Sequence, residues 1–434
     1  MGIEVSSETQ PGDILGDYKE TVLGMIPKYW NLTKLGDHVE DLIVPMRDKP
    51  KQFRGQIPWC RIDDINGKYL CTSKNGYFVD KDTISKMNLK VFPKGTVICS
   101  CSANLGICAI AENPLITNQT FIGIVPKNTF DTEFLYYLMI SYAKRLQLLS
   151  TGTTISYLPK DKFENFIVVK PPLNEQRKIA AILSAVDAAI EQTDAIIAQT
   201  EQMKKGLMQE LLTKGIKHTV FKKTSIGRIP EKWDVIYLGN NNYFDLVTGG
   251  TPSTKNKRYW ENGDILWLLS GEIHKKRIYD TQKKISKLGY ENSNATLLPK
   301  QSVLIALAGQ GKTRGTTAIT EIELTTNQSV AAIISNFNYL NPYYVYYVLD
   351  SMYEELRSKS SGSGRAGLSL TILREIGLPL PSLSEQNQIA STLLSVDDKL
   401  IIEKNRRIQL GRLKKSLMQD LLTGRVRVKV DDHV

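Results

Sequence analysis

The sequence predicts an α+β chain made of two similar mixed α/β globular halves, each followed by a long helix, with the two helices packed on one another as a coiled coil. Three observations lead there. The stretch from Pro171 to Lys217 recurs 210 residues further on, so that Glu175, Gln176, Ile179 and Ala180 return as Glu385, Gln386, Ile389 and Ala390. That stretch carries apolar residues spaced by seven. The sequence between its copies consists of short β-branched runs broken by Gly, Pro and Asn, which read as strands and turns. A period this long marks a duplicated domain, because solenoid repeats are far shorter.

Taken in order, residues 1–20 read as a polar arm. The first globular half covers 21–170 and its helix 171–217; the second half covers 218–378 and its helix 379–424, with a tail over 425–434. The entries to the halves match, Gly24, Ile26, Pro27 and Trp30 returning as Gly227, Ile229, Pro230 and Trp233. Inside, IPWCRIDDI (57–65) pairs with ILWLLSGEI (265–273), FPKGTVI (92–98) with LPKQSVL (298–304), and Thr117-Asn118-Gln119 with Thr326-Asn327-Gln328. One helix is predicted in each half, over 132–149 and 342–357, with Asn341 as N-cap and Pro342 in the first turn. Each half then has a small glycine-containing loop, 150–154 or 360–365.

In the long segment, Ile179, Val186, Thr193, Thr200 and Leu207 keep the period of seven, with Ile182, Ala189, Ile196 and Met203 three positions later. This is one broad apolar face in a coiled-coil-like pattern. Asn174 is the expected N-cap and Gly215 the expected stop. At 1.5 Å per residue the helix spans roughly 58 Å. The second copy keeps Ile389, Leu393, Val396, Leu400, Leu410, Leu413, Leu417 and Leu421, with a charged middle at 403–407 where packing should weaken. Neither face is stable in water. The two helices are either core elements of a globular domain or a mutually packed spacer, and their length favours the spacer.

With 434 residues and 41% hydrophobic content the chain supports several cores. Its net charge of +11 favours an anionic partner such as nucleic acid. The five cysteines lie in the first third without a C-x-x-C pair, which fits free thiols in a reducing cytoplasm. No apolar run approaches a membrane span. ALAGQGKT (306–313) has Ala306 where a phosphate-cradling loop needs glycine, and no helix start follows it. Asn341-Pro342-Tyr343-Tyr344 lacks the second proline of an adenine-methyltransferase loop. The four histidines are scattered, and Cys99-x-Cys101 alone is not a zinc site. No catalytic constellation emerges, so a recognition or assembly role is expected.

The P-L-x-E-Q-x-x-I-A helix, present as 172–180 and 382–390 and ending in Lys204-Lys205-Gly206-Leu207-Met208 and Lys414-Lys415-Ser416-Leu417-Met418, resembles that of the specificity subunit of type I restriction–modification systems. The I-P-x-x-W entries, the Thr-Asn-Gln elements and the glycine loops are similar to that family's target recognition domains. Ser382 departs from the pattern where the first copy has Pro172. The resemblance implies a non-catalytic DNA-reading subunit with approximate two-fold symmetry. Its two long helices would pack antiparallel and hold two target recognition domains apart, each domain reading one part of a split double-stranded DNA target. It implies two methyltransferase subunits that bring S-adenosylmethionine, and restriction subunits that join with ATP and magnesium. No cofactor is expected on this chain itself.

A rod of this length would separate two readers by one to two turns of DNA. Lysine and arginine give salt-dependent backbone affinity, while Asn, Gln and Arg read base edges. The candidates in the first half are Arg47, Lys49, Lys51 and Arg54 of a basic segment between landmarks, and Thr153 and Thr154. In the second half they are Thr251, Ser253, Lys255, Lys257, Arg258, Lys312, Arg314, Ser363 and Arg365. Asn118, Gln119, Asn327 and Gln328 repeat in both halves. A feature shared by two readers of different sequences supports a loop more readily than it selects a base. The competing reading is a coiled-coil assembly scaffold whose loops bind protein; a free-standing enzyme is a third.

Overall fold

In a computed structural model of the chain, residues 17–102, 105–150, 158–309, 311–359 and 367–429 are described. The chain divides into two compact units, Met1–Asp194 with Arg406–Val434, and Ala195–Asn405. Each unit is therefore one globular half plus a piece of both long helices, and the boundaries fall inside the helices.

The first half opens on a hairpin of β1 (Tyr18–Thr21) and β2 (Gly24–Pro27). The last residues of the expected arm are thus strand. β3 (Asn31–Lys34), β4 (Val39–Ile43), β5 (Ile57–Cys60), β6 (Tyr69–Leu70), β7 (Phe78–Val79), α1 (Lys81–Met87), β8 (Val97–Ser100), β9 (Cys108–Ala111), β10 (Ile116–Thr117) and β11 (Phe121–Pro126) follow. The half ends with α2 (Thr132–Ser141), α3 (Ala143–Leu149), α4 (Lys160–Glu164) and β12 (Ile167–Lys170), and then α5 (Leu173–Lys214). A five-stranded sheet has the order β4-β11-β8-β9-β6, a three-stranded one β10-β5-β7, and β12 pairs with β3. β8 and β9 are buried at every residue, as strands covered on both faces must be. One face packs Val97, Cys99, Ile110 and Ile122 against Phe134, Tyr137 and Leu138 of α2.

The second half repeats this order. Its elements are β13 (Phe221–Thr224), β14 (Gly227–Pro230), β15 (Asp234–Tyr237), β16 (Phe244–Thr248), β17 (Ile265–Leu268), β18 (Arg277–Ile278), β19 (Lys283–Ile285), α6 (Lys287–Glu291), β20 (Val303–Ala306), β21 (Thr317–Thr320), β22 (Thr325–Thr326) and β23 (Val330–Ser335). They continue through α7 (Pro342–Ser351), α8 (Tyr353–Ser358), α9 (Leu370–Arg374), β24 (Gly377–Leu380) and α10 (Leu383–Leu422). The sheets are β16-β23-β20-β21-β18, β19-β17-β22, β15-β24 and the β13-β14 hairpin, strand for strand the set of the first half.

Three expectations change. The single helix expected over 132–149 is α2 and α3, broken at Tyr142 (φ −89°, ψ 5°), and that over 342–357 is α7 and α8, broken at Met352 (φ −90°, ψ 13°). Both break residues occupy the sparsely allowed bridge region. Asn174 lies inside α5 rather than capping it; the Gln176 side chain secures the entry by donating from Nε2 to the Pro171 carbonyl at 2.9 Å. Asn341 does cap α7, its Oδ1 accepting from the Tyr343 and Tyr344 amides at 2.9 and 3.2 Å, and Gly215 ends α5 at φ +66°. Met203 and Leu413, expected in the apolar stripes, are 46% and 47% exposed.

Within each unit the long helices run antiparallel. In the first, Lys414 bonds Asp187 at 2.5 Å and Arg407 bonds Asp194 at 3.2 Å, so α10 retreats as α5 advances. In the second, Lys404 bonds Glu201 and Lys204 bonds Asp397, each at 2.6 Å. Ion pairs thus occupy the charged middle of α10. Ile179, Leu183, Leu421 and Leu422 join the first core, and Leu212, Ile389 and Leu393 the second.

Candidate nucleic-acid interface

The segment 45–54 links β4 of the five-stranded sheet to β5 of the three-stranded one, and 248–260 links β16 to β17 at the equivalent place. Each segment abuts a repeated tryptophan, Trp59 or Trp267, buried at the centre of the small sheet.

In the first half, Phe53 stacks on Tyr77 with centroids 4.2 Å apart and leans on Trp59 at 5.4 Å. Lys49 Nζ lies 5.5–5.8 Å from the centres of all three rings, and the Arg61 guanidinium lies over Trp59 and Tyr77. Such cation–π contacts hold a cation in place while leaving its charge available. Arg54 is tied by its Nε to Asp80 Oδ2 at 2.9 Å, and Asp80 also caps α1. Arg47 and Lys51 are exposed. Lys49, Lys51, Gln52, Arg54 and Lys86 line a cleft of about 640 Å³.

In the second half two glycines let the backbone approach closely. The Gly250 amide donates to the Thr326 carbonyl at 2.9 Å, and a Cβ on Gly249 would lie 2.1 Å from that same oxygen. This approach brings the Thr251 hydroxyl onto Gln328 Oε1. Ser253 accepts from Trp260 Nε1 through its carbonyl at 3.2 Å; Ser253, Lys255, Lys257 and Arg258 are exposed, the last two on a 3₁₀ turn capped by Asn256. Trp260 packs edge-on against Trp267 at 4.9 Å, and Lys283 Nζ lies 5.8 Å from Trp260. Thr254, Lys257, Gln282, Lys283 and Lys284 share a groove of about 690 Å³. Lys283 and Lys284 escape sequence reasoning because the β17–β19 pairing, Trp267 opposite Lys283, brings them there.

The repeated Asn residues serve the turns. Asn118 Oδ1 accepts from Thr120 Oγ1 at 2.7 Å and Asn327 Oδ1 from the Ser329 amide at 3.2 Å, whereas Gln119 and Gln328 are exposed. Lys312 and Arg314 lie on another loop, between β20 and β21, secured by Tyr353 Oη donating to the Lys312 carbonyl at 3.1 Å. Strand β21, not a helix, follows that loop. Thr153, Thr154, Ser363 and Arg365 lie outside the described residues. The five cysteines are free, and Cys99 and Cys108 face each other with sulfurs 3.1 Å apart. Burial pushes the Cys60 thiol up to about 12 and the Cys101 thiol up to about 11, which keeps both protonated and inert. Among the described residues no group of three or more His, Cys, Asp or Glu side chains could hold a metal ion, and no helix is long and apolar enough to cross a membrane.

A family model, the type I restriction modification DNA specificity domain, matches residues 27–202 and again 230–412. The chain belongs to this family. The two matches are its two target recognition domains, each with the adjoining helix. The chain is 28% identical over 95% of its length to the putative type I restriction enzyme MjaX specificity subunit of Methanocaldococcus jannaschii, covering 97% of that protein. It is 25% identical over 81% of its length to the EcoBI specificity subunit of Escherichia coli, covering 76% of it. Among solved structures, the type I restriction–modification S subunit of M. genitalium has the same fold, with a TM-score of 0.60 at 16% identity, covering 90% of this chain and 96% of that one. The specificity-subunit architecture of two mixed α/β domains, each with a long helix, is therefore that of this chain.

Proposed function

We propose that each target recognition domain reads one part of a split duplex DNA target and that the paired helices set the gap between the parts. What carries this reading is a single observation: the same ordered strands occur twice, and at the same position each copy holds a different basic segment packed beside aromatic rings. Equal scaffolds with unequal loops suit two readers of unequal sequence. Lys49, Lys51, Lys257 and Arg258 supply phosphate attraction, the exposed Gln119 offers a paired donor and acceptor to a base edge, and Gln328, whose Oε1 holds the Thr251 hydroxyl, offers its amide N–H groups. Arg47, Arg54, Lys255, Ser253, Thr251, Lys312 and Arg314 complete the described part of the interface.

The chain itself carries out no chemistry on this reading. Two methyltransferase subunits dock on it and bring S-adenosylmethionine, and in a restricting complex the restriction subunits bring ATP and magnesium. Large apolar side chains left exposed on the long helices favour docking there. Met203, Ile401, Ile402, Ile408 and Leu413 are each at least 43% exposed, an expensive arrangement for a helix with no partner. A groove of about 950 Å³ beside Lys205 and Met208 recurs beside Lys415 and Met418 at about 700 Å³, offering equivalent seats in the two units.

The test is to co-express the chain with the methyltransferase subunit of its own system and map the methylated bases in the host DNA. The expected result is a two-part target with one fixed gap. Methylation of an unbroken site, or none with an assembled complex, overturns the reading.

A further inference from the structure

A side-chain triad occurs once in each unit. In the first, the Tyr137 hydroxyl on α2 donates to Asp187 Oδ2 at 2.7 Å while Lys414 Nζ bonds Asp187 Oδ1 at 2.5 Å and lies 5.6 Å from the Tyr137 ring centre. In the second, the Tyr347 hydroxyl on α7 donates to Asp397 Oδ2 at 2.7 Å while Lys204 Nζ bonds Asp397 Oδ1 at 2.6 Å and lies 5.4 Å from the Tyr347 ring centre. Each carboxylate is shared by three elements: a helix of the recognition domain, the long helix that bears the aspartate, and the opposing long helix that bears the lysine. Side-chain exposure of only 13–25% over these four charged groups keeps water from replacing the bonds.

The counts along the helices agree. Asp187 and Lys204 are seventeen residues apart on α5, and Asp397 and Lys414 are seventeen apart on α10. An antiparallel pair that satisfies one triad is thus in the alignment that satisfies the other, and a slip by one helical turn breaks both. The apolar stripe is a weaker guard against such a slip at Met203 and Leu413, which are exposed, and the neighbouring Asp194–Arg407 and Glu201–Lys404 pairs are about half exposed.

We infer that Asp187 and Asp397 are positioning residues that fix the alignment of the two long helices and, through it, the single gap length the two recognition domains accept. The inference rests on the two-part-target reading proposed above.

The test uses the full chain with its methyltransferase subunit and measures methylation of its mapped target and of versions with the gap one base pair longer or shorter. D187N/D397N keeps the side-chain size and removes the charge that Lys204 and Lys414 meet. Its expected signature is retained methylation of the native gap, with at least tenfold higher relative methylation of the altered gaps. Y137F/Y347F removes only the hydroxyls and should relax the gap less; it serves if the double asparagine variant does not fold. A K204R/K414R chain, which keeps a cation opposite each carboxylate, should retain the strict gap. Variants that assemble, methylate the native site and discriminate gaps as the wild type does overturn the inference. A wild-type chain that shows no two-part target overturns the underlying reading instead.

Discussion

Trp30 Nε1 donates to Glu175 Oε2 at 3.0 Å, joining the entry of the first recognition domain to the first turn of α5. Trp233 and Glu385 repeat the bond at the same distance, and there the carboxylate also accepts from the Ile216 amide at 2.8 Å and from His218 Nε2. Glu175 is buried and also accepts from the Tyr29 hydroxyl at 3.0 Å, and Glu385 is half-buried. Removing the indole donor from one is expected to lower stability by about 1.5–3 kcal/mol, the range for hydrogen bonds to charged groups. W30F and W233F should each show that loss in urea unfolding; a loss below about 0.5 kcal/mol in both would remove this joint from the account.

Lys257 and Arg258 are exposed beside the groove that holds Lys283 and Lys284. Phosphate contacts release counterions, so each one adds about 0.9 to the slope of log affinity against log salt. K257A/R258A should flatten the slope by about two, and K283A/K284A by one to two, in fluorescence titrations of the assembled complex. An unchanged slope in both variants would place the DNA elsewhere.

Gly249 approaches the Thr326 carbonyl so closely that a methyl group cannot fit without moving the backbone. G249A should cost about 1–3 kcal/mol as an overpacked site. It should also pull Thr251 from Gln328, weakening binding at the second part of the target while leaving base preference at the first part unchanged. Competition assays with targets altered in one part at a time would measure this.

The phenols of Tyr137 and Tyr347 are pushed up, first by burial and then by the neighbouring carboxylates of Asp187 and Asp397. A group raised on folding stabilises the fold fully below its unfolded value of about 10 and loses that contribution as pH rises through the folded value. Thermal stability should therefore fall above about pH 10. Y137F/Y347F, which cannot ionise there, should fall less steeply, as calorimetry across pH 8–11 would show.

Inserting one helical turn within Ala189–Thr200 of α5 should change the gap of the methylated target and leave both half-site sequences as they were. Methylation mapping that returned an altered half-site would refute the role of the helices as a spacer.

Much of the fold was legible because the duplication states it twice. The landmarks around Trp59 and Trp267, the cap of α7 at Asn341 and the seven-residue period all follow from local chemistry and comparison within the chain. The breaks at Tyr142 and Met352 were not legible, since both sequences remain helix-compatible across them, with no glycine or proline at either break. Nor was the exposure of Met203 and Leu413, because a period fixes which residues share a face but not how much of that face a partner covers. At the proposed interface, the sequence placed the two basic segments at equivalent connections, 45–54 between β4 and β5 and 248–260 between β16 and β17. The stacking of Lys49 on Phe53, Trp59 and Tyr77, and the arrival of Lys283 beside Trp260, depend on strand pairings between distant residues and had no sequence signal.

The first unit is closed by the far end of the chain. Leu421 and Leu422 sit in one core with Ile26, Trp30 and Ile179, and Tyr18 Oη donates to the Gly424 carbonyl at 2.9 Å. The second unit is one unbroken segment, Ala195–Asn405. During translation, then, the half made first is completed last. Its apolar helix face waits on the ribosome while the later half already has all its residues, so premature termination after Asn405 would spare the second unit and leave the first without its final packing layer.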